Sequence, residues 1–332
     1  MGNDVHYTGK GLLMRHGRLT ARRVLEATGC LALTAPLAIG VSALSGLGHR
    51  WPDILAQFTV PALLCTAVLM LALMVARLRF AAGFSLVATV LLMAAVGPQA
   101  YPGGPMPRRD TPIVRLYSAN LYYRNEDAAA VRRSIETADA DVVILIELGQ
   151  GLTGTLDEVL AGYPHRIAST RLDQARGPSR SMIASRWPLQ SVADRPVGLH
   201  DVTAVVDSPI GPLNVVGVHL TRPWPFQYQW GQISQTMALE GLVKDLAGPV
   251  VVAGDFNSVS TARIGRQVRR EVGLHPAPGF PGTWPDGLPA PFGLTIDQVY
   301  ASGDLAFVSR RLGRPTGSDH RPVVTEVTRA RP

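Results

Sequence analysis

Apolar residues are concentrated in the N-terminal part of the chain, where they form three long stretches. Each stretch is close to the roughly 20 residues that a helix needs to cross about 30 Å of hydrocarbon. Leu63–Val75, inside the second stretch, has no charged side chain, which argues against helices buried in a soluble protein. A signal sequence would account for the first stretch but not for the two that follow it. The pattern predicts three transmembrane helices, at Leu25–Leu47, Ile54–Ala76 and Phe80–Gln99.

Basic residues near the ends of these stretches predict the orientation of the chain in the membrane. Five precede the first stretch and two lie in the turn before the third: Lys10, Arg15, Arg18, Arg22, Arg23, Arg77 and Arg79. Because positively charged flanks favour the cytoplasmic side, and three spans invert the chain, everything after Gln99 is predicted to lie outside the cell membrane. Arg50, Arg108 and Arg109 lie on the predicted outer side and weigh against this topology.

The division of the chain follows from these stretches and from a segment rich in proline and glycine, which cannot continue a helix. The part after that segment shows no internal repeat, and its length is ordinary for a single domain. The predicted organisation is a cytoplasmic basic tail at residues 1–24, a three-helix membrane anchor at 25–99, a linker at 100–112 and a globular domain at 113–332.

The globular part alternates short runs of β-branched residues with segments of helical periodicity. Ala128–Ala138 has helical character, and a second helix has apolar residues at Leu239, Leu242, Val243 and Leu246. The predicted strands are Ile113–Ser118, Val142–Ile146, Thr203–Val206, Leu213–Val218 and Val250–Ala253. A turn-forming sequence between the third and fourth strands predicts a hairpin. This order predicts an α/β domain of packed sheets with helices outside.

Net charge and cysteine content exclude few of the possible functions. The formal net charge is +7, and Lys10 and Lys244 are the only lysines. A basic balance fits a nucleic-acid ligand or anionic lipid headgroups, so charge does not choose between them. Both cysteines, Cys30 and Cys65, lie in apolar stretches. The globular part therefore has no thiol for zinc, a disulfide or covalent catalysis.

Several predicted strands end in polar residues that are costly to bury and have no evident packing role. Taken singly, such residues are usually solvated loop residues, turn caps or structural histidines. Polar groups at strand ends can also converge on one site. The residues concerned are Asn120, Glu147, His219, Asp255, Asn257, Asp319 and His320.

Two segments match motifs of a known superfamily. Val251–Asn257 is a strand that runs into Gly-Asp-x-Asn, and Gly317–Val323 contains Ser-Asp-His-x-Pro before an apolar strand. In these residues the chain resembles the endonuclease/exonuclease/phosphatase superfamily, and the resemblance extends over about Ile113–Val327. Other positions follow in the order that the resemblance requires: Asn120, Glu147, Ser181–Leu189, His219 and Ile296–Asp297.

The resemblance implies a four-layer fold, a β-sandwich of two sheets flanked by helices, with the site at one end of the sheets. Two positions depart from the superfamily pattern. Gln298 stands where many members have histidine, and Tyr122 stands where some nucleases have an additional aspartate. The second departure weakens a DNA-repair interpretation.

The residue types suit hydrolysis of a phosphoester, which needs charge neutralised on the phosphoryl oxygens, a water held in line and help for the leaving oxygen. Glu147 is predicted to bind Mg²⁺, with Mn²⁺ as the alternative, and Asn120 and Asp319 are predicted as direct or water-mediated supporters. Asp255 is predicted to orient or deprotonate the attacking water. Asn257 is predicted to hydrogen-bond a phosphoryl oxygen.

Two histidines complete the predicted site. His320, held by Asp297, is predicted to donate to the phosphoryl group, because a carboxylate behind an imidazole fixes its tautomer and raises its pKa. His219 is left to stabilise the transition state or the leaving group. No organic cofactor is predicted.

The substrate does not follow from the fold, since the superfamily includes nucleases, inositol-phosphate phosphatases and sphingomyelinases. A domain tethered outside the membrane meets lipid phosphates, cell-wall precursors and extracellular nucleic acid, and the tether raises the effective concentration of substrates in the same membrane. The anchor, the basic tail and the catalytic part together resemble VanJ-type membrane proteins associated with glycopeptide-antibiotic resistance. This resemblance implies action on an outer-leaflet prenyl phosphate or pyrophosphate, or a related cell-envelope intermediate, and resistance to teicoplanin-like drugs.

Two other functional classes remain open, an outward-facing nuclease and a non-catalytic binding module on the same fold. Tyr122, the membrane tether and the lack of a dense arginine and aromatic stripe weigh against the nuclease. The full motif set weighs against the binding module. Arg222–Phe226, close after His219, forms either an aromatic lip that touches lipid or a proline-stiffened loop that packs its own aromatic side chains.

Overall fold

The structure is a computed structural model that describes residues 8–169, 180–192, 196–223 and 229–332, with side chains from residue 19 onward. The helices are α1 (Thr8–Ala32), α2 (Thr34–Ser45), α3 (Arg50–Ala56), α4 (Thr59–Val75), α5 (Arg79–Ala100), α6 (Ala128–Ala138), α7 (Gln150–Thr153), α8 (Leu156–Val159), α9 (Gln229–Asp245) and α10 (Arg263–Gln267). A π-helical turn at Val268–Val272 and a 3₁₀ turn at Ala290–Phe292 follow.

The strands form two six-stranded sheets. They are β1 (Val114–Asn120), β2 (Val142–Ile146), β3 (His165–Ala168), β4 (Ser181–Ser185), β5 (Leu189–Ser191), β6 (Asp201–Ser208), β7 (Gly211–His219), β8 (Val250–Asp255), β9 (His275–Pro276), β10 (Asp297–Ala301), β11 (Leu305–Leu312) and β12 (Val323–Arg329). One sheet has the order β11-β12-β1-β2-β4-β3 and the other β5-β6-β7-β8-β10-β9. Each sheet contains one parallel pair, β1 with β2 and β7 with β8, among antiparallel neighbours.

Three apolar clusters divide the domain into layers. The central cluster lies between the sheets and includes Leu116 and Ile144 from one sheet and Val215 and Val251 from the other. A second cluster packs α6 against the first sheet, and a third packs α9 against the second sheet. This helix–sheet–sheet–helix arrangement confirms the predicted four-layer α/β sandwich.

Helix α6 shows how local sequence sets one of the outer layers. The Asp127 side chain caps its first turn by accepting a hydrogen bond from the Ala130 N–H at 2.8 Å. Val131 and Ile135, four residues apart, lie on one face and are fully buried against the first sheet. The helix ends where Asp139 adopts a left-handed conformation. The cap and the apolar spacing together fix the helix at the predicted residues.

The apolar N-terminal part differs from the three predicted transmembrane helices. Among the described residues, two stretches are helical, long and apolar enough to cross a membrane, at Leu19–Ser45 and Arg79–Ala100. The prediction of a single helix at Ile54–Ala76 is wrong, because the segment is divided between α3 and α4, which meet at an angle of 59°. Counted as one bent span, the pair would bring the number to three. The bend has a physical cause, since Asp53 and Gln57 hydrogen-bond with the globular domain instead of continuing the apolar surface.

The predicted linker lies against the end of the last strand. Pro107 pairs with Ala330 in an isolated antiparallel bridge, and the Arg108 N–H donates to the Arg329 carbonyl at 2.9 Å. Backbone contacts therefore connect the end of the apolar part to the globular domain.

Candidate active site

The two parallel strand pairs bring the predicted polar residues to one end of the sandwich. Asn120 ends β1 and is paired with Ile146, directly before Glu147. In the other sheet His219 ends β7 and is paired with Asp255, which ends β8. Asp255 is also paired with Asp297, the first residue of β10. The carboxyl ends of parallel strands lie at the same edge of a sheet, and here the two edges face one another.

A short network joins the two sheets at this edge. Asn120 Nδ2 donates to Glu147 Oε1 at 3.0 Å and to Asp255 Oδ2 at 3.1 Å. His219 Nε2 lies 3.3 Å from Glu147 Oε1 and 3.8 Å from Asp255 Oδ2. Asn120 Oδ1 accepts from the Tyr122 N–H at 2.9 Å, which fixes the amide with its nitrogen toward the carboxylates. Asn120 therefore orients Glu147 and Asp255 through hydrogen bonds.

A second group on the other side of Asp255 consists of Asp297 and His320. His320 Nδ1 lies 2.9 Å from Asp297 Oδ2, so the carboxylate is placed to fix the imidazole tautomer. The opposite ring nitrogen, Nε2, lies 3.9 Å from Asp255 Oδ2. All three side chains are buried. Asp255 thus stands between two imidazoles, one from each group.

Burial and neighbouring charge shift the acidity of two of these groups. Burial raises the pKa of the Asp255 carboxyl above its usual range, although the charges of His320 and His219 oppose this. Burial alone would lower the pKa of His320, but the Asp297 carboxylate, followed by Asp255 and Asp319, outweighs burial and raises it. A carboxyl that holds a proton more readily than usual suits a general base, and a stabilised imidazolium suits a donor to phosphate.

Backbone geometry explains the Gly-Asp-x-Asn motif. Gly254 has φ of +145°, and a Cβ atom there would lie 2.0 Å from the Val218 carbonyl oxygen, so no other residue fits. The Asn257 N–H donates to Asp255 Oδ1 at 2.8 Å, and Asn257 Nδ2 donates to the Leu220 carbonyl at 2.9 Å. The turn locks the Asp255 carboxylate in place and leaves a second Asn257 amide hydrogen for another acceptor.

Three of the six described non-glycine residues with positive φ lie around the same place. Tyr122, Glu147 and Asn257 are non-glycine residues with positive φ, at 56°, 54° and 48°. All three line one cavity. Such conformations are uncommon and often occur where a site requires a side chain in a fixed direction.

The cavity has a volume of about 790 Å³ and contains most of the predicted site. Predicted residues on its wall are Glu147, His219, Asp255, Asn257, Asp319 and His320. Asn120 and Asp297 lie behind them, in contact with Glu147 and His320. Asp319 is set apart, because its Oδ2 accepts from Trp284 Nε1 at 3.1 Å and it belongs to neither metal-compatible group among the described residues.

Sequence reasoning missed several residues of the wall. Trp284, Tyr123 and Arg124 come from loops, while Gln57 and Phe58 come from the bend between α3 and α4. No spacing in the sequence links these residues to the motifs. The two departures from the superfamily pattern also have defined places. Tyr122 lines the cavity, and the buried Gln298 side chain donates to the Thr295 carbonyl.

Part of the predicted aromatic segment at Arg222–Phe226 lies outside the described residues. Arg222 and Pro223 line the cavity. The two alternatives for the segment, an aromatic lip or a self-packed loop, depend on Trp224 and Phe226, which are not among the described residues.

The arrangement on the two strand edges has counterparts in known proteins. A model of the Endonuclease/Exonuclease/phosphatase family matches residues 117–320, more than half of the chain, from within β1 to His320. The chain belongs to this family. Endonuclease/exonuclease/phosphatase members are hydrolases such as phosphatases and nucleases, and they are generally metal-dependent.

Individual proteins similar to this chain match it over only part of its length or at low sequence identity. A UPF0294 protein of Vibrio parahaemolyticus is 36% identical over 97 residues, which cover 29% of this chain and 33% of the relative. The chain thus spans about a third of the length of this curated relative. An endonuclease/exonuclease/phosphatase of Beutenbergia cavernae has a TM-score of 0.54 at 20% identity, covering 66% of this chain and 72% of its own. An endonuclease/exonuclease/phosphatase of Bacteroides vulgatus has a TM-score of 0.54 at 15% sequence identity. The match covers 65% of this chain and 99% of that protein. At these identities the solved structures show the shared fold alone.

The donor set of the site fits a hard divalent cation. Ligand atoms of Glu147, His219 and Asp255 lie within 4.8 Å of one another, and so do those of Asp255, Asp297 and His320. These atoms are carboxylate oxygens and imidazole nitrogens, and no sulfur lies among them. Carboxylate-rich sites without sulfur favour Mg²⁺ or Mn²⁺ over softer metals. The hydrolytic chemistry of the endonuclease/exonuclease/phosphatase family is thus compatible with every group at this edge.

Proposed function

We propose that the chain is a membrane-anchored, Mg²⁺-dependent phosphoesterase, with Mn²⁺ as the alternative metal. Its proposed substrate is a phosphate or pyrophosphate ester of a prenyl or other cell-envelope lipid at the outer membrane face. The hydrolase assignment rests on the position of Asp255, which belongs to two groups of carboxylates and imidazoles. One group contains Glu147 and His219, and the other contains Asp297 and His320.

The proposed roles follow from this geometry. Glu147 would hold the cation, with Asn120 fixing its carboxylate and Asp319 as a water-mediated supporter. A cation held there would neutralise charge on the phosphoryl oxygens. Asp255 accepts the proton of the attacking water, for which its raised pKa is suited. Asn257 donates its second amide hydrogen to a phosphoryl oxygen.

The two imidazoles act on the phosphoryl group from different sides of Asp255. His320, kept protonated by Asp297, donates to the phosphoryl oxygens as negative charge builds on them. His219 stabilises the leaving oxygen. Closely placed donors in a partly enclosed cavity act more strongly than the same groups in water.

The helices support a membrane location with the catalytic domain opposite the basic cluster. Arg22 Nη2 donates to the Arg77 carbonyl at 3.0 Å, so the basic start of the first span and the turn between α4 and α5 lie together. At the other ends of these helices, the Gln99 carbonyl accepts from the Gly279 N–H of the catalytic domain at 2.7 Å. If the arginine-rich end is cytoplasmic, the catalytic domain lies outside.

A reporter fusion tests this orientation. Alkaline phosphatase fused after Arg109 should be active, because the enzyme folds only on the outer side. The same reporter fused after Arg77 should be inactive, which makes that fusion the matched control. The opposite pattern, with a cytoplasmic reporter active after Arg109, would reverse the topology.

A release assay on purified full-length protein tests the substrate class. With Mg²⁺ present, phosphate release from farnesyl pyrophosphate should exceed hydrolysis of phospholipid and of DNA. An Asp255→Asn variant purified in parallel controls for contaminating phosphatases. Release of nucleotides but never of lipid phosphate would establish the nuclease alternative, and no release from any substrate would establish the binding module.

The proposal includes a cellular role in glycopeptide resistance. It rests on the combination of anchor, tail and catalytic domain that resembles VanJ-type proteins. Hydrolysis of an envelope lipid phosphate at the outer face would act on the same intermediates on which cell-wall synthesis depends.

A further inference from the structure

The bend between α3 and α4 is held against the catalytic domain by buried polar contacts. Asp53 Oδ1 accepts from the Arg263 N–H, and Asp53 Oδ2 accepts from Gln229 Nε2, each at 2.6 Å. Gln57 Oε1 accepts from the Val259 N–H at 2.8 Å. Asp53 and Gln57 are buried, and burying unpaired polar groups is costly, so these contacts favour this docked position.

The docked bend adjoins the catalytic turn. Val259, which donates to Gln57, lies two residues after Asn257. The other end of the apolar part is fixed to the same place, because Gln99 Nε2 donates to Thr59 Oγ1 at 2.9 Å, directly after the bend. The bend is therefore held from three sides, by the catalytic turn, by α9 and α10, and by the end of α5.

Phe58, at the centre of the bend, forms part of the wall of the catalytic cavity. The same wall includes Leu294 and Ile296, beside the catalytic His219 and Asp255. The Phe58 side chain is half-buried, so it presents apolar surface to the cavity. The cavity therefore combines polar groups that suit a phosphate with apolar residues that suit an apolar chain.

The part of the cavity wall formed by Phe58 lies next to helix α4, where a membrane surface is expected. From Phe58 the chain continues into α4, whose exposed side chains Val68, Leu71 and Met74 are apolar. Exposed Trp51 and Trp230 flank the Asp53–Gln229 contact, and tryptophan is enriched at the boundary between lipid and water. An apolar chain could thus pass from the bilayer to the cavity along Phe58.

We propose that the bend of the anchor is part of the active site, and that Phe58 contacts the apolar chain of the substrate and selects esters that carry a long one. This inference rests on the proposed phosphoesterase function. The phosphate end is bound by the residues of the strand edges. The chain end is bound by Phe58 with Leu294 and Ile296, so the anchor contributes to specificity as well as to location.

Two substrates with the same headgroup test the proposal in full-length protein. Farnesyl and dimethylallyl pyrophosphate are both allylic and differ only in chain length, and wild type should prefer the longer one in kcat/KM. Phe58→Ala should reduce that preference by about 10-fold, mainly through a higher KM for farnesyl pyrophosphate, because the loss of a buried aromatic contact is worth about 1.4 kcal/mol or more. Phe58→Leu, which keeps an apolar side chain, should restore most of the preference.

Phe80→Ala is the matched control, since Phe80 is exposed on α5 and does not line the cavity. This substitution should leave kcat/KM for both substrates unchanged. A wild-type enzyme without preference for the longer chain, or an equal loss on both substrates in Phe58→Ala, would overturn the role of Phe58 while leaving the phosphoesterase function in place. Absence of hydrolysis of either substrate by wild type would instead overturn the proposed function and this inference with it.

Discussion

Asp255→Asn and His320→Ala should each lower turnover by about 10²-fold or more, because general acid–base groups typically contribute about 10² to 10⁴. Asp255 Oδ2 and His320 Nε2 are 3.9 Å apart, so the two groups face the same reacting phosphoryl group. Residues that act in one step are non-additive. The double variant should therefore be far less impaired than the product of the two single losses.

Steady-state kinetics on the three variants measure this coupling. Asp304→Asn, at an exposed turn, makes the same chemical change outside the cavity and should leave turnover unaltered. Strictly multiplicative losses would show that the two residues act in separate steps. Full activity in either single variant would remove that residue from the proposed mechanism.

Glu147→Gln should lower activity at ordinary Mg²⁺ concentrations by about 10²-fold or more, since a bound metal contributes several kcal/mol of charge stabilisation. The substitution keeps the volume of the side chain, and the amide oxygen can still accept the hydrogen bond from Asn120 Nδ2. The fold and the melting temperature should therefore be retained. Excess Mg²⁺ should restore part of the activity.

A Mg²⁺ titration of activity separates metal binding from other effects. The variant should need more Mg²⁺ for half-maximal activity than wild type. Glu240→Gln, on the surface of α9 and paired with Lys244, is the matched control and should behave as wild type. An unchanged Mg²⁺ requirement in Glu147→Gln would place the metal elsewhere.

Helices and strands could be predicted from the sequence where the residues that determine them lie close together in the chain. The helix Ala128–Ala138 and the strand Val142–Ile146 have the predicted bounds, because their periodicity and the Asp127 cap lie within a few residues. The hairpin of β6 and β7 was predicted from its turn sequence, although both strands extend beyond the predicted ends. The first strand likewise continues to Asn120, where the polar residue enters the site.

The contacts that complete the site could not be predicted in this way. The Trp284–Asp319 hydrogen bond joins two loops, and neither loop has a periodicity that indicates its partner. The bend at Gln57 depends on Val259, 202 residues further along the chain. Apolar composition predicted one transmembrane helix there, because hydropathy carries no information on which polar side chains have distant partners.

Phosphate release from farnesyl pyrophosphate by purified full-length protein, followed as Mg²⁺ is removed with a chelator and then restored, tests the central claim most directly. Wild type should release phosphate, stop on chelation and recover when Mg²⁺ is returned, while the Asp255→Asn/His320→Ala double variant should show little release throughout. Release that survives chelation, or equal release by the double variant, would contradict a metal-dependent phosphoesterase centred on Asp255.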